Sequence, residues 1–194
     1  MKLRLIFIFL LSGVSYLSAQ EPLRLLPGTP RFAVKTNLLY DATASFNLGI
    51  ETRLSRKTTL DVSVNYNPWS FSDNRKWKHL LVQPEWRYWL CEPFHGHFLG
   101  AHGHYASYNV GNVPLGRGLR KNRYEGWLAG AGVSYGYHRL LSDRWSVEAT
   151  LGAGYAYLDY EKYECRKCGD KLKDGNKHYF GITKAGISLI YIIK

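Results

Sequence analysis

Residues 32–54 read FAVKTNLLYDATASFNLGIETRL, and apolar and polar side chains alternate along this stretch. From 32 to 40 and again from 44 to 54, every second position carries an apolar side chain or a threonine. A period of two residues predicts extended strands with one apolar and one polar face. Each run is about as long as a tilted strand must be to cross a bilayer. Because Asp41–Thr43 is so short, we predict an antiparallel hairpin.

The same alternation predicts six more strands. They are expected within residues 58–67, 80–90, 99–105, 126–138, 145–157 and 179–193. The connections after strands two, four and six are short, whereas those after strands three, five and seven are long: Asn67–Lys78, Asn109–Arg123 and Asp159–Lys177. This pattern predicts an all-β fold, an eight-stranded antiparallel transmembrane β-barrel with short periplasmic turns and longer extracellular loops. Pro84 lacks a ladder donor, so we expect a bulge or a local break there.

The region before the barrel divides into two segments. Met1–Ala19 has basic residues, the apolar run Leu5–Val14 and a small residue at its end, which is the form of a secretory signal peptide. Gln20–Arg31 contains three prolines and is predicted to be an irregular periplasmic lead-in. Residues 32–194 then form one barrel domain. No other apolar run reaches the length of a transmembrane helix.

Charged side chains fall on the inner face of the predicted strands. Four cations and four carboxylates are expected to form a neutral network that fills a sealed, polar interior: Lys35, Arg53, Arg87 and Lys184 with Glu51, Asp61, Glu85 and Glu148. The outer face carries aromatic residues near the strand ends, as at a bilayer interface: Tyr40, Tyr66, Trp86, Tyr88, Trp127, Tyr135, Tyr137, Trp145, Tyr155 and Tyr157. A soluble secreted lipocalin-like barrel would have the reverse polarity, and it remains the second alternative.

Three motifs suggest a family. They are KTNLLYDA at 35–42, NLGIE at 47–51 and EPFHGHF at 92–98. In these motifs the chain resembles a family of uncharacterised outer-membrane β-barrel proteins common in Bacteroides-like bacteria, the domain of unknown function 3575. The resemblance covers nearly the whole mature chain. It implies an outer-membrane location, often alongside surface-fimbria systems, and it implies no catalytic residues.

Cysteine and histidine are the candidate reactive or metal-binding groups. Cys165 and Cys168 have the spacing of half a zinc site or of a redox pair, but no second half-site accompanies them. We therefore predict a disulfide between them in an oxidising compartment, with Cys91 unpaired. His102 and His104 lie on one strand face and could share a metal. Without a nearby acidic ligand we expect interior hydrogen-bonding roles instead, and we expect no metal and no cofactor.

The chain carries a net charge of +11, and much of the excess lies in the predicted loops. The candidate binding residues there are Arg75, Lys76, Lys78, Arg117, Arg120, Lys121 and Arg123. A secreted barrel meets lipid phosphates before nucleic acid, so lipopolysaccharide is the expected partner. The expected function is a non-enzymatic scaffold in the outer membrane of a Gram-negative bacterium, contacting outer-membrane lipid or a fimbrial or envelope protein. The alternative is an outer-membrane lipid-modifying enzyme, which needs a nucleophile beside a base.

Overall fold

The structure is a computed structural model that describes residues 30–70, 76–112, 122–164 and 171–193. These residues form eight strands and one helical turn. The elements are β1 (Phe32–Asn37), α1 (Leu38–Asp41), β2 (Phe46–Arg53), β3 (Thr58–Asn67), β4 (Lys76–Trp89), β5 (Gly96–Gly111), β6 (Asn122–Leu140), β7 (Trp145–Glu164) and β8 (Lys171–Ile193). The predicted signal peptide lies outside the described residues, as does the lead-in up to residue 29.

The eight strands close into a ring. Each strand pairs antiparallel with the next, and β8 returns to β1 with Ile193 opposite Phe32. We call the end that carries these two residues the proximal end and the opposite end the distal end. The β2–β3, β4–β5 and β6–β7 connections lie at the proximal end. The prediction of eight antiparallel strands is confirmed. Among the described residues, no helix is long and apolar enough to cross a membrane.

Side chains alternate between the inside and the outside of the ring as the sequence predicts. On β4, Gln83, Glu85 and Arg87 are buried, whereas Pro84 and Trp86 between them are exposed. On the outer face most large side chains are apolar and exposed. The exposed apolar residues of the middle strand segments include Leu48, Ile50, Val62, Val64, Leu99, Val133, Leu151 and Ile187.

The first strand is shorter than predicted. It ends at Asn37, because the side chain of Asn37 accepts a hydrogen bond from Leu39 N at 3.1 Å and caps α1. The alternation continues to Tyr40 in the sequence, but the capped turn places Tyr40 on α1. The antiparallel pairing of β1 with β2 is confirmed, but the predicted tight connection at Asp41–Thr43 is wrong, because residues 38–45 connect the two strands.

The distal strands are longer than predicted. Of the expected loop Asp159–Lys177, residues 159–164 and 171–177 lie in β7 and β8, and of the expected loop Asn109–Arg123, residues 109–111 and 122–123 lie in β5 and β6. In the same way, β4 begins at Lys76 inside the expected loop Asn67–Lys78. Polarity along these segments had indicated loops, but backbone pairing does not require an apolar face.

Pro84 interrupts pairing without shifting the register. It lies opposite Val62 of β3, while the β4–β5 ladder omits Gln83 and Pro84 and resumes at Glu85 in the same register. The expected local break is therefore present on the β5 side only. The bulge lies in β8, where Gly152 and Ala153 face Lys184 and Ile182, leaving Thr183 as the extra residue.

The interior has three layers rather than one polar filling. The proximal layer is an apolar floor formed by Ala33, Trp89, Phe94, Phe98, Ile190 and Ile192, all at most 2% exposed. A charged layer lies in the middle. The distal layer is an apolar cavity, so the expectation of a filled, wholly polar interior is wrong. Small inner side chains of β5, β6 and β7 leave this space unfilled.

Candidate functional site

Arg87 is the centre of the charged middle layer. Its guanidinium lies 2.8 Å from Glu51 Oε2, 3.0 Å from Asp61 Oδ2, 2.5 Å from Glu85 Oε2 and 2.9 Å from Glu148 Oε2. All five side chains are at most 2% exposed. A planar guanidinium with five N–H donors is suited to bonding several carboxylates at once.

Two lysines complete this layer. Lys35 Nζ lies 2.5 Å from Glu51 Oε2 and 3.3 Å from Asp61 Oδ1. Lys184 Nζ lies 2.9 Å from Glu85 Oε2 and 3.6 Å from Asp61 Oδ2. We call the set of Lys35, Glu51, Asp61, Glu85, Arg87, Glu148 and Lys184 the ion cluster. It contains seven of the eight residues predicted for the interior network.

Arg53 is the predicted residue that does not join the ion cluster. Its Nε donates to Ser55 O at 3.0 Å, because Arg53 ends β2 beside the β2–β3 turn. The predicted balance of four cations and four carboxylates is therefore wrong. Three cations remain against four carboxylates, a formal charge of −1, and His138 Nδ1 lies 3.5 Å from Glu148 Oε2.

Hydroxyl donors, which the sequence reasoning missed, stabilise the extra carboxylate charge. Thr59 donates to Glu51 Oε1 at 2.5 Å, Ser134 to Glu85 Oε1 at 2.5 Å, and Thr150 to Glu148 Oε1 at 3.0 Å. Hydrogen bonds to ionised groups are stronger than those between neutral groups. These three residues have inward parity in the sequence, so the alternation carried the signal that would have found them.

The distal layer is a cavity of about 430 Å³. We call it the chamber. Its lining is mainly aliphatic and aromatic: Leu81, Ala106, Leu128, Ala156 and Leu158 with Tyr40, Tyr108 and Tyr179. The polar groups of the lining include His79, His104 and Thr183. His104 is 7% exposed, and its Nδ1 has no hydrogen-bond partner among the described residues. The chamber therefore suits an apolar ligand.

The wall beside the chamber has a gap in its strand pairing. β1 pairs with residues 188–193 of β8, and distal to them that edge of β8 has no strand partner in the described part of the chain. There Asn37 of the capped turn bonds Ala185 O at 3.2 Å and Ile187 N at 3.3 Å. We call the region between α1 and the distal part of β8 the notch. Ile182 is 61% exposed and also lines the chamber, so the chamber opens sideways here.

The Thr183 hydroxyl, the His102 imidazole and the Glu85 carboxylate lie side by side at the base of the chamber. The bulge in β8 brings Thr183 Oγ1 to 2.9 Å from His102 Nε2. On the other side of the imidazole ring, His102 Nδ1 lies 3.9 Å from Glu85 Oε1. Gly132 leaves room for the ring, since a Cβ there would lie 2.9 Å from His102 Nε2. Thr183 and His102 are in the contact expected of a nucleophile and a base, but His102 Nδ1 has no hydrogen-bond partner among the described residues, and Glu85 belongs to the ion cluster.

Within the described residues, the neighbouring His102 and His104 have no third ligand with which to form a metal centre. His102 and His104 have ring centroids 5.8 Å apart, and His102 uses Nε2 toward Thr183. No group of three or more His, Cys, Asp or Glu residues among the described residues could hold a metal ion. The interior hydrogen-bonding role predicted for His102 is confirmed.

The predicted loop residues divide between strands and undescribed segments. Lys76 and Lys78 lie in β4, and Arg123 lies in β6 with its guanidinium carbon 4.5 Å from the Tyr163 ring centre. Cys91 is free and exposed. The remaining predicted residues lie outside the described residues: Arg75, Arg117, Arg120, Lys121, Cys165 and Cys168.

The β7–β8 hairpin carries a surface network at the distal end. Lys171 Nζ lies 2.6 Å from Glu161 Oε1 and 3.0 Å from Asp174 Oδ1, and the Tyr163 hydroxyl donates to Glu161 Oε2 at 2.6 Å. The hydrogen bonds from Lys171 and Tyr163 hold the pKa of the Glu161 carboxyl below its usual value. The ion pairs with Glu161 and Asp174 hold Lys171 in place. The neighbouring Lys173 and Lys177 are exposed.

Comparison with known proteins identifies a family and no characterised relative. No curated protein and no solved structure matches the chain. A family model described as "Protein of unknown function (DUF3575)" matches residues 5–193. This match confirms the family resemblance carried by the three sequence motifs. The chain therefore belongs to the DUF3575 family of proteins of unknown function.

Proposed function

We propose that this protein is an integral membrane barrel whose outer face lies in a lipid bilayer. The observation that carries the proposal is the inverted polarity of the fold. The ion cluster is buried inside, whereas Val133, Ile182 and Phe180 on the outer face are 68%, 61% and 78% exposed. Apolar surface in water costs about 25 cal/mol per Å². A soluble lipocalin-like barrel would need the opposite arrangement.

The spacing of the aromatic residues supports the same proposal. On β6, Trp127 points outward near the distal end and Tyr137 points outward near the proximal end. At about 3.3 Å per residue the two lie about 33 Å apart along the strand. A tilt of about 40° reduces this to about 25 Å along the barrel axis, the usual height of the apolar band in outer-membrane barrels.

The proposed location is the outer membrane of a Gram-negative bacterium. Spanning barrels of this class belong to that membrane, and the first nineteen residues have the form of a secretory signal. The ion cluster and the apolar floor occupy the interior on the proximal side of the chamber. The barrel is therefore proposed to be a closed scaffold and not a channel.

The proposed role is a surface anchor whose basic distal hairpins contact other envelope components. Exposed Lys173 and Lys177 at that end would pair with phosphate groups of lipopolysaccharide or with an acidic face of a fimbrial or envelope protein. Connections carried on a rigid scaffold are common binding elements. This role requires no catalytic group.

Membrane insertion is tested with the full-length protein refolded in the presence of phosphatidylcholine vesicles. We expect it to float with the vesicles, to migrate faster on unboiled than on boiled gels, and to give no ion conductance. Recovery as a monomer that stays soluble without detergent would contradict the membrane proposal. Measurable conductance in a protein that floats would contradict the closed interior alone.

A lipid-modifying enzyme is the second candidate, and the 2.9 Å contact between Thr183 and His102 favours it. The test deletes the locus and compares lipid A by mass spectrometry and surface fimbriae by microscopy. An altered acyl pattern restored by the wild type and by His97→Ala, but not by His102→Ala, would favour the enzyme. His97 is a matched control because its exposed ring bonds Tyr135 on the outer face. Unchanged lipid A with altered surface assembly would favour the anchor.

A further inference from the structure

We infer that the chamber holds one acyl chain of a membrane lipid, which enters sideways through the notch. This inference rests on the proposed membrane location of the barrel. It goes beyond an anchoring role, because it assigns a ligand class and an entry route to the interior. Three observations carry it: the volume and lining of the chamber, the gap in strand pairing, and the apolar surface at that gap.

The volume of the chamber fits one chain. A protein cavity of about 150 Å³ accommodates a benzene molecule, so 430 Å³ has room for roughly seventeen carbon atoms at similar packing. This is the size of one acyl chain and too little for both chains of a diacyl lipid. The lining offers mostly apolar contacts, with Leu81, Leu128 and Leu158 each only partly buried because they face empty space.

The base of the chamber sets the depth to which a chain can enter. The side chains of Thr183 and His102 form a hydrogen bond across the interior of the barrel there, and the side chain of Gln83 donates to Thr183 O at 3.2 Å. The ion cluster lies directly on the proximal side of these groups. A polar gap of about 30 Å³ lies beside the cluster, which is enough for about one water molecule. An acyl chain therefore ends at this level.

The notch is an apolar passage from the outer face. Leu38 and Leu39 of α1 are each 44% exposed on one side, and Phe180 and Ile182 of β8 are exposed on the other. Because β1 ends at Asn37, no backbone ladder crosses the wall at this height within the described residues. Asp41 is the charged residue of α1, and its carboxylate accepts a hydrogen bond from the Thr36 hydroxyl at 2.8 Å.

The rim of the chamber favours a lipid over a soluble apolar molecule. Lys177 lies opposite Leu158 in the β7–β8 ladder, so an exposed cation is placed at the level of the chamber lining. A cation there would pair with the phosphate of a headgroup whose chain lies inside. The site thus combines apolar surface for one chain with positive charge for an anionic head.

Photo-crosslinking tests the inference through strand parity. The full-length protein is reconstituted in vesicles containing phosphatidylglycerol with one chain of about sixteen carbon atoms that carries a diazirine near its middle. After irradiation, the modified residues are mapped by mass spectrometry. We expect modification at the inward residues Leu128 and Leu158 and at the outward residue Leu151. Lipid that stays outside the barrel reaches only outward residues, so modification of the inward residues reports a chain inside the chamber.

Two variants on β7 form a matched pair. Ala156→Phe fills the chamber and is expected to reduce the inward modification about tenfold or more, leaving Leu151 unchanged. Ala153→Phe makes the same change on the outer face and should preserve both signals. If Ala156→Phe does not give the folded gel band, Ala106→Phe with its outward control Ala101→Phe replaces the pair.

The outcomes separate this inference from the membrane proposal. Modification confined to outward residues in protein that floats with vesicles would overturn the acyl-chain site and leave the membrane proposal standing. Inward modification that persists in the chamber-filling variant would also overturn it. Protein that does not float would overturn both.

Discussion

Arg87 shows how far a single residue's role can be predicted from alternation. Parity along the strand predicts that Arg87 points inward, and the structure confirms it. The same parity predicted Arg53 as its companion, but Arg53 ends its strand and bonds the turn at Ser55 O. Alternation predicts which face of the sheet a side chain lies on. How deep the side chain lies in the barrel, and which partners its charged group contacts, depend on neighbours from other strands.

The ion cluster makes Arg87 sensitive to substitution. We expect Arg87→Met to lower the free energy of unfolding by about 3–5 kcal/mol, because four buried carboxylates lose their shared partner. Arg56→Met is the control, since Arg56 is exposed in the β2–β3 turn and should change stability by less than about 0.5 kcal/mol. Urea unfolding in vesicles, followed by the folded band on unboiled gels, measures both. Equal stability of the two variants would contradict the central role of Arg87.

The elements differ in how well the sequence predicts them. The middle segments of all eight strands follow from period-two alternation and are confirmed. Two features escape that pattern: α1, where the Asn37 cap overrides continuing alternation, and the distal parts of β6, β7 and β8, where polar residues pair through their backbones. In both cases hydrogen bonding of the main chain decides the structure, and hydrophobic patterning carries little information about it.

Asn37 joins two elements, and its loss should open the wall locally. Its side chain accepts from Leu39 N and Ile187 N and donates to Ala185 O. We expect Asn37→Ala to cost about 1–2 kcal/mol through the lost cap. Amide hydrogen exchange at Ile187 should accelerate, while the middle of β6 should not change.

Asn176→Ala is the control for this experiment, because Asn176 is an exposed residue of β8 far from α1. Faster exchange throughout the barrel in Asn37→Ala would indicate global destabilisation. That outcome would contradict a local role of Asn37 in closing the notch.

The whole molecule combines a predictable ring with a less predictable interior. Strand number, pairing order and the inverted polarity follow from the sequence. The chamber does not, because it depends on the summed volumes of inner side chains from several strands. The inward glycines of β6 make room for aromatic and imidazole side chains, as Gly132 does for His102. Ala106 and Ala156, however, have small side chains, so the space beside Leu128 stays unfilled.

Quenching by lipid tests the central claim, that the outer face of the barrel lies in a bilayer. Trp86 and Trp89 are three residues apart on β4, but Trp86 is 45% exposed on the outer face and Trp89 is fully buried inside. Two single-tryptophan proteins, each with the other five tryptophans changed to Phe, are reconstituted in vesicles of phosphatidylcholine with brominated chains. We predict strong fluorescence quenching of Trp86 and little quenching of Trp89. A Trp86 signal that brominated lipid leaves unchanged while aqueous iodide quenches it would contradict the claim.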